Sequence, residues 1–303
     1  MDIERIEAAR VRFGEGPSWD HEHGLLWFAD IGGEVVTVDE RHEVRRSHVD
    51  HAVFAVIPIT ATRVVLVVAD GVRAFDLETG AIGPLRASGG AAGTTLADAK
   101  TDSDGGLIVV SSDREMASPR GALLRFAEDG VTVLELAGGF ALGNGPCWSP
   151  DRSRFYVSDS AARQIYVMDW GEGRPLSSRR LFADTRSLGG IPDGATVDAD
   201  GNLWVAMFGA GVVACFAPDG VVRRLVEMPT TWCSSVMFGG RGLDRLYVTS
   251  LDPSIFAGSG GLAAELGTEP DEGAGHLFVV DGLEVVGVAE PRIVPGEVEL
   301  SDS

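Results

Sequence analysis

Cysteine is scarce in this 303-residue chain: Cys147, Cys215 and Cys233 are the only three, far apart and without a CxxC pair or a companion His motif. That excludes a disulfide framework and a zinc finger, and leaves buried free thiols as the expectation. No apolar run approaches the roughly 18 residues that would suggest a membrane span, so no membrane contact is expected. The opening MDIERIEAARVRFGEGP carries charge where a secretory signal would need an apolar core, which makes a cytoplasmic protein the expectation. Positive charge is also in short supply, 25 Lys and Arg against 45 Asp and Glu, for a formal net charge of -20. Nucleic-acid binding rests on a basic face turned to phosphates, so no nucleic-acid partner is expected. An acidic surface attracts cations without naming one. The six histidines, His21, His23, His42, His48, His51 and His276, show no nucleophile-base arrangement and read as surface or turn residues.

What the chain has in quantity is punctuation. Its 40 glycines and 14 prolines cut the 45% hydrophobic residues into short Val, Leu, Ile, Trp and Tyr runs, the pattern of many strands joined by tight turns. Six stretches repeat one another: GLLWFADIGGEVVTVD, VVLVVADGVRAFDLETG, GLIVVSSD continuing to GALLRFAEDG, RFYVSDSAARQIYVMDW, NLWVAMFGAGVVACFAPDG, and RLYVTSLD continuing to GHLFVVDG. Each is a strand, a short polar break and a second strand ending at Asp or Gly. With Leu26, Leu66, Leu107, Phe155, Leu203 and Leu246 as equivalent points, the spacings are 40, 41, 48, 48 and 43 residues. Periods of that length made of strands mark propeller blades, whereas helical repeats would show a 3.6-residue apolar period. The expected fold is therefore all-β, a six-bladed β-propeller of four-stranded antiparallel blades, with residues 1–303 as a single domain. The N-terminal IERIEAARVRF is expected to add an outer strand to the last blade and close the ring. The insertion DPSIFAGSGGLAAELGTEPDEGAG reads as a loop with about one helical turn.

Before the central hairpins lie turns such as SWDHEHG, TDSDGG, WSPDRS and VDADGN. Propeller chains run outward from the axis, so the segment before each turn is an innermost strand. Five residues before Asp20, Ser149 and Asp198 stand Glu15, Asn144 and Asp193, in the settings GEGPSW, GNGPCW and IPDGATV. Alone, each reads as a turn or capping residue. Together, three oxygen-bearing side chains in one register on three inner strands point to one place. Two carboxylates and an amide crowded into a channel call for a cation among them. Oxygen ligands suit one divalent metal ion, Ca2+ first, with Zn2+, Mg2+ or Mn2+ as alternatives. The same count in the other repeats gives Ala55, Ala97 and Ser234. Asp98 and Lys100 in LADAKTD are candidates to line the pocket, although strand alternation can turn either away. Trp232 and Cys233 read as pocket wall or as plain packing.

The segments GEGPSWD with LLWFADI, NGPCWSPDRSRFYVSDS, PDGATVDADGNLWVA, FGGRGLDRLYVTS and GHLFVVDGLEVVGVAEPRI together resemble the regucalcin and gluconolactonase family of six-bladed propellers, over nearly the whole chain. The resemblance implies one divalent cation on the axis, held by a Glu, an Asn and an Asp at the positions of Glu15, Asn144 and Asp193. It also implies hydrolysis of a lactone, usually of a sugar acid. An ion so held polarises the ring carbonyl and stabilises the oxyanion formed as water attacks. Asp193 is then ligand and catalytic base. One segment departs from the family: where relatives carry an Arg and an Asn that hold polyhydroxylated substrates, TLADAKTDSDG has Thr95 and Ala97. The expectation is a metal-dependent lactonase, or carboxylic-ester hydrolase, whose small-molecule lactone or ester is poorer in hydroxyls and charge than a sugar-acid lactone. Its expected substrate-binding set is Thr95, Ala97, Asp98, Lys100, Trp232 and Ser234. Two alternatives stay open: a phosphotriesterase-type hydrolase at the same ion, and a non-catalytic propeller that binds a ligand or partner around a structural ion.

Overall fold

The computed structural model describes residues 1–87, 90–126, 133–172 and 174–293. It is nearly all strand, and the strands form the expected six-bladed β-propeller. Blade I comprises Gly14–Asp20, Leu25–Asp30, Glu34–Asp39 and Val44–His48. Blade II comprises Val53–Pro58, Arg63–Val68, Gly71–Asp76 and the short Arg86–Ala87, and blade III comprises Thr94–Thr101, Leu107–Asp113, Gly121–Phe126 and Val133–Phe140. Blade IV runs through Gly143–Trp148, Arg154–Asp159 and Gln164–Gly171, whose outer edge pairs with both Arg174–Pro175 and Arg180–Asp184. Blade V is Ile191–Val197, Leu203–Phe208, Val212–Phe216 and Val222–Glu227. Blade VI takes Cys233–Gly239, Arg245–Ser250 and Leu277–Asp281 from the end of the chain and its outermost strand, Asp2–Ile6, from the beginning.

The strand sequences change with distance from the centre, and burial explains why. Second strands such as Leu203–Phe208 (LWVAMF) are apolar throughout and fully buried, because neighbouring blades cover both of their faces. Outer strands such as Val44–His48 (VRRSH) and Val222–Glu227 (VRRLVE) alternate or expose their charged residues. The core lies between blades: Trp204, Cys215, Cys233 and Phe238 join V to VI, and Trp19, Phe28, Met237 and Tyr247 join VI to I. All three cysteines are free and buried. Burial pushes the Cys147 and Cys215 thiols up to about 12 and the Cys233 thiol higher still, so they pack as small apolar groups.

Two segments cover the two ends of the ring. At one end the insertion is more ordered than a loop with a single turn: it forms a 3-10 turn at Pro253–Phe256 and a short helix at Gly261–Leu266. Asp271 pins its return, accepting from Thr230 Oγ1 at 2.8 Å and Thr231 N at 2.7 Å, while Glu265 pairs with Arg163 at 2.7 Å. At the other end the segment after Leu277–Asp281 crosses blade after blade. Val286 accepts from Ala199 N, Gly287 donates to Leu243 O, Glu290 pairs with Lys100 at 2.6 Å, and Arg292 meets Asp20 at 2.6 Å. Among the described residues no helix is long and apolar enough to cross a membrane.

Candidate active site at the starts of the inner strands

Every inner strand breaks its pairing register near its start. In blade I the break falls between Glu15 and Ser18, in blade IV between Asn144 and Cys147, in blade V between Pro192 and Ala195, and in blade III between Leu96 and Ala99. Each break leaves unpaired residues that the bulge re-aims out of the ladder. Gly16 (φ +53°) and Gly145 (φ +59°) take the left-handed backbone this needs. A Cβ on Gly16 would lie 2.5 Å from Ala55 Cα, and one on Gly145 would lie 2.8 Å from Asp193 O, so adjacent blades approach too closely for any side chain. The residues beside these glycines are delivered to a cavity of about 220 Å³ at this end of the ring.

Glu15, Asn144 and Asp193 all line that cavity, with Ala97 and Asp98 from blade III. Their common register has a structural basis. Trp19, Thr101, Trp148, Val197 and Phe238 pair with the equivalent residues Leu26, Leu107, Phe155, Leu203 and Leu246. Four residues before them stand Glu15, Ala97, Asn144, Asp193 and Ser234. Blade II breaks the count. The bond from Ile59 N to Arg63 O matches those from Asp102 N to Gly106 O and Asp198 N to Asn202 O, so the count starts at Ile59 and not at Thr60, and Phe54 lines the cavity while Ala55 packs into the core. A one-residue slip along a strand exchanges its faces.

The acceptors of the site outnumber its donors. Asp98 is held by two backbone N–H groups, Ala99 at 2.8 Å and Gly145 at 3.0 Å. Asn144 Nδ2 donates to Ser160 Oγ at 3.0 Å, and that hydroxyl donates to Pro192 O at 2.5 Å. The Asn144 amide is thereby fixed with its carbonyl as the end left over. Among the described residues Glu15 accepts only from its neighbour Gly16, at 3.3 Å. Burial, then the charges of Asp193 and Asp98, holds the Glu15 carboxyl well above the usual carboxylate range. Burial and the charge of Asp98 do the same to Asp193, and burial lifts Asp98 to about 6 against the opposing charge of Lys100. Among the described residues no three His, Cys, Asp or Glu side chains gather as a metal site; this set is two carboxylates and one amide oxygen. Those three acceptors, short of donors and repelling one another, fit a hard divalent cation.

The remaining candidates scatter. Thr95 lines the cavity, but its hydroxyl is directed to Ala69 O and Leu96 O, both at 3.2 Å. Ser234 lies outside the lining: it donates to Gly14 O at 2.6 Å and contacts Thr249 Oγ1 at 3.0 Å, bracing the backbone beside Glu15. Trp232 stands one layer back, its ring 5.2 Å from that of the lining residue Phe208. Lys100 is buried toward the opposite end, against Glu290. Sequence reasoning missed the apolar wall of Phe13, Ile31, Phe208 and Leu251 and its cover of Phe256, Leu262 and Leu266 from the insertion. It also missed Ser112 and Arg114 at the end of the second strand of blade III.

The comparisons agree with this architecture. The chain is similar to a pentonolactonase of Haloferax volcanii, 29% identical over 291 residues that cover 93% of this chain and 94% of the relative. It is similar to L-arabinolactonase of Azospirillum brasilense, 32% identical over 255 residues covering 80% and 81%. Both names denote hydrolases of lactone ester bonds. A solved luciferin-regenerating enzyme superposes with a TM-score of 0.84 at 26% identity, over 96% of this chain and 99% of its own. The model of the SMP-30/gluconolactonase/LRE-like region matches residues 13–252, from the first cavity-lining phenylalanine to the start of the insertion, and the chain belongs to that family.

Proposed function

We propose that the chain hydrolyses a lactone, or a related carboxylic ester, with a divalent cation held by Glu15, Asn144 and Asp193. The observation that carries this reading is the convergence of three donor-poor oxygen ligands on one cavity. An all-oxygen set favours Ca2+ over Zn2+, with Mg2+ and Mn2+ between. When bound, such an ion would polarise the lactone carbonyl and offset the charge that develops on its oxygen. Asp193 accepts the proton of the attacking water through whichever carboxylate oxygen the ion leaves free. Asn144, clamped through Ser160 to the Pro192 carbonyl, keeps its oxygen aimed while charge shifts around it. Asp98, fixed by two N–H groups, adds negative charge beside the ligands and strengthens the hold on a cation.

The wall favours a substrate poorer in hydroxyls than a sugar lactone. Phe13, Phe54, Phe208, Phe256, Leu262 and Leu266 offer no hydrogen bonds, Ala97 adds none, and the Thr95 hydroxyl already has acceptors. An alkyl-substituted ring buries its carbon there at about 25 cal/mol per Å². The test is turnover by metal-stripped protein reloaded with each ion, on alkyl-substituted γ- and δ-lactones, gluconolactone and an organophosphate triester. Ion-dependent turnover of alkyl lactones above gluconolactone is expected. Preference for gluconolactone by tenfold or more overturns the substrate reading, preference for the triester replaces the bond, and ion binding without any turnover leaves a binding protein.

A further inference from the structure

Among the described residues Arg114 is the one cation whose side chain lines the cavity, and four acids, Glu15, Asp98, Asp113 and Asp193, line it too. Its Nε donates to Thr94 O at 2.9 Å, fixing the base of the guanidinium, and among the described residues its two Nη groups have no acceptor and no ion pair. Thr94 and Thr95 lie on the inner strand of blade III, where Thr95 pairs with Ser112 and Thr94 with Asp113, so Arg114 follows directly on the strand that faces them. The other lining donors are largely committed. Thr95 is directed to backbone carbonyls, Asn144 is directed to Ser160, and Ser112 Oγ accepts from Gly143 N at 3.0 Å, with its own proton left over. A held guanidinium with two free Nη groups is a fork for a carboxylate. In a cavity of apolar walls and acids it is also the one lining group that can neutralise a substrate anion.

Building on the lactonase reading above, we propose that Arg114 is a specificity-determining residue, and that the substrate is a lactone with an apolar substituent ending in a carboxylate. The ring and alkyl part fill the Phe208 and Phe256 wall, and the carboxylate reaches Arg114 at the exposed side of blade III. The positive charge absent at Thr95 is thus supplied from the neighbouring strand, displaced outward.

The experiment uses matched γ-lactones whose alkyl chain ends in a carboxylate or in its methyl ester, and the corresponding unreactive lactams. The wild type is expected to favour the carboxylate lactone by tenfold or more in kcat/KM, mostly through KM, and to bind the carboxylate lactam tighter by a similar factor. Arg114→Leu is expected to bring both ratios within twofold of one. Arg114→Lys is expected to restore part of the preference, because charge remains while the fork is lost. The ion-induced rise in Tm serves as the check that each variant is folded. Turnover of both lactones at equal rates, or equal losses on both in Arg114→Leu, overturns the proposal and leaves the hydrolase reading standing. Absent turnover with an Arg114-dependent lactam preference sinks the hydrolase reading, and with it the lactone substrate, and keeps Arg114 as the carboxylate-selecting residue.

Discussion

Asp193 and Asp198 sit five residues apart, at the start and just past the end of one inner strand, and both are buried. Asp198 accepts from Asn202 N and Asn202 Nδ2 at 2.8 Å and from Trp204 Nε1 at 2.9 Å. Asp193 has the N–H of Gly194 and two acidic neighbours. The same contrast runs round the ring. At the far end Asp20 meets Arg292 and His23, Asp102 meets Arg125 at 2.8 Å, and Lys100 meets Glu290. Within the cavity at the near end, Glu15 and Asp193 instead have the charge of Asp98 beside them. Identical side chains therefore hold the fold where donors surround them and are available for chemistry where donors are withheld.

The largest break of this comparison comes from exchanging the two aspartates' fates. Asp193→Ala is expected to lower kcat/KM by about a thousandfold or more through loss of the base and a ligand, with ion-free stability kept. Asp198→Ala is expected to leave activity per folded molecule near wild type. It strands the buried donors of Asn202 and Trp204, at roughly 1–3 kcal/mol each. Steady-state kinetics beside urea denaturation reads both, and a swap of the two outcomes would dissolve the distinction.

Next in size is the far-end ion pair. Glu290→Ala leaves Lys100 buried without its partner, a loss of about 3–5 kcal/mol for a pair broken from one side. Replacing both by Met should cost much less than that single change, by denaturation midpoint. A double variant as weak as the single would mean that packing of the crossing segment, not charge, matters there.

A smaller effect concerns pH. Glu15 and Asp193 bind protons more tightly folded than unfolded. Ion-free protein should therefore gain stability as pH falls from their raised folded values toward ordinary carboxylate values near about 4, and lose it again as pH rises. Saturating Ca2+ should remove that slope, and Asp193→Asn should flatten it and raise the ion-free Tm at neutral pH. A thermal-shift series across pH, with and without the ion, decides; a Tm that rises with pH in the ion-free protein contradicts the mutual repulsion. Smallest of all, Thr95→Val should change kcat/KM by less than about twofold, since its hydroxyl is directed into the backbone.

The propeller was legible because each blade writes the same hairpin, and Glu15, Asn144 and Asp193 were legible because hairpins of nearly equal turn length keep them in step. Blade II shows the limit of that signal: its turn carries no Asp or Ser to mark Ile59 as the starting point, and a count from Thr60 exchanges Phe54 for Ala55. Lys100 was misplaced for a related reason, since the bulge at Ala97 and Asp98 resets the alternation just before it. The apolar cover was hidden because Phe256, Leu262 and Leu266 belong to an insertion without a repeat partner. Arg114 was hidden because its partner Thr94 lies on a different strand, and only the pairing of Thr94 with Asp113 brings the two together.

The pairing of Asp2–Ile6 with Leu277–Asp281 also sets a timetable. Asp2–Ile6 is made long before its partner, and about a quarter of a minute to a minute of translation, at roughly 5–20 residues per second, separates them. During that interval Ile6, Ala9 and Val11, later buried with Leu277 and Val279, stand in water. Closing so long a loop adds only slowly to its entropic cost, but such non-local pairing folds late and leaves sheet edges open meanwhile. Nascent chains of this protein are therefore most prone to aggregate just before the final blade is made, while the strand that locks the ring has no partner.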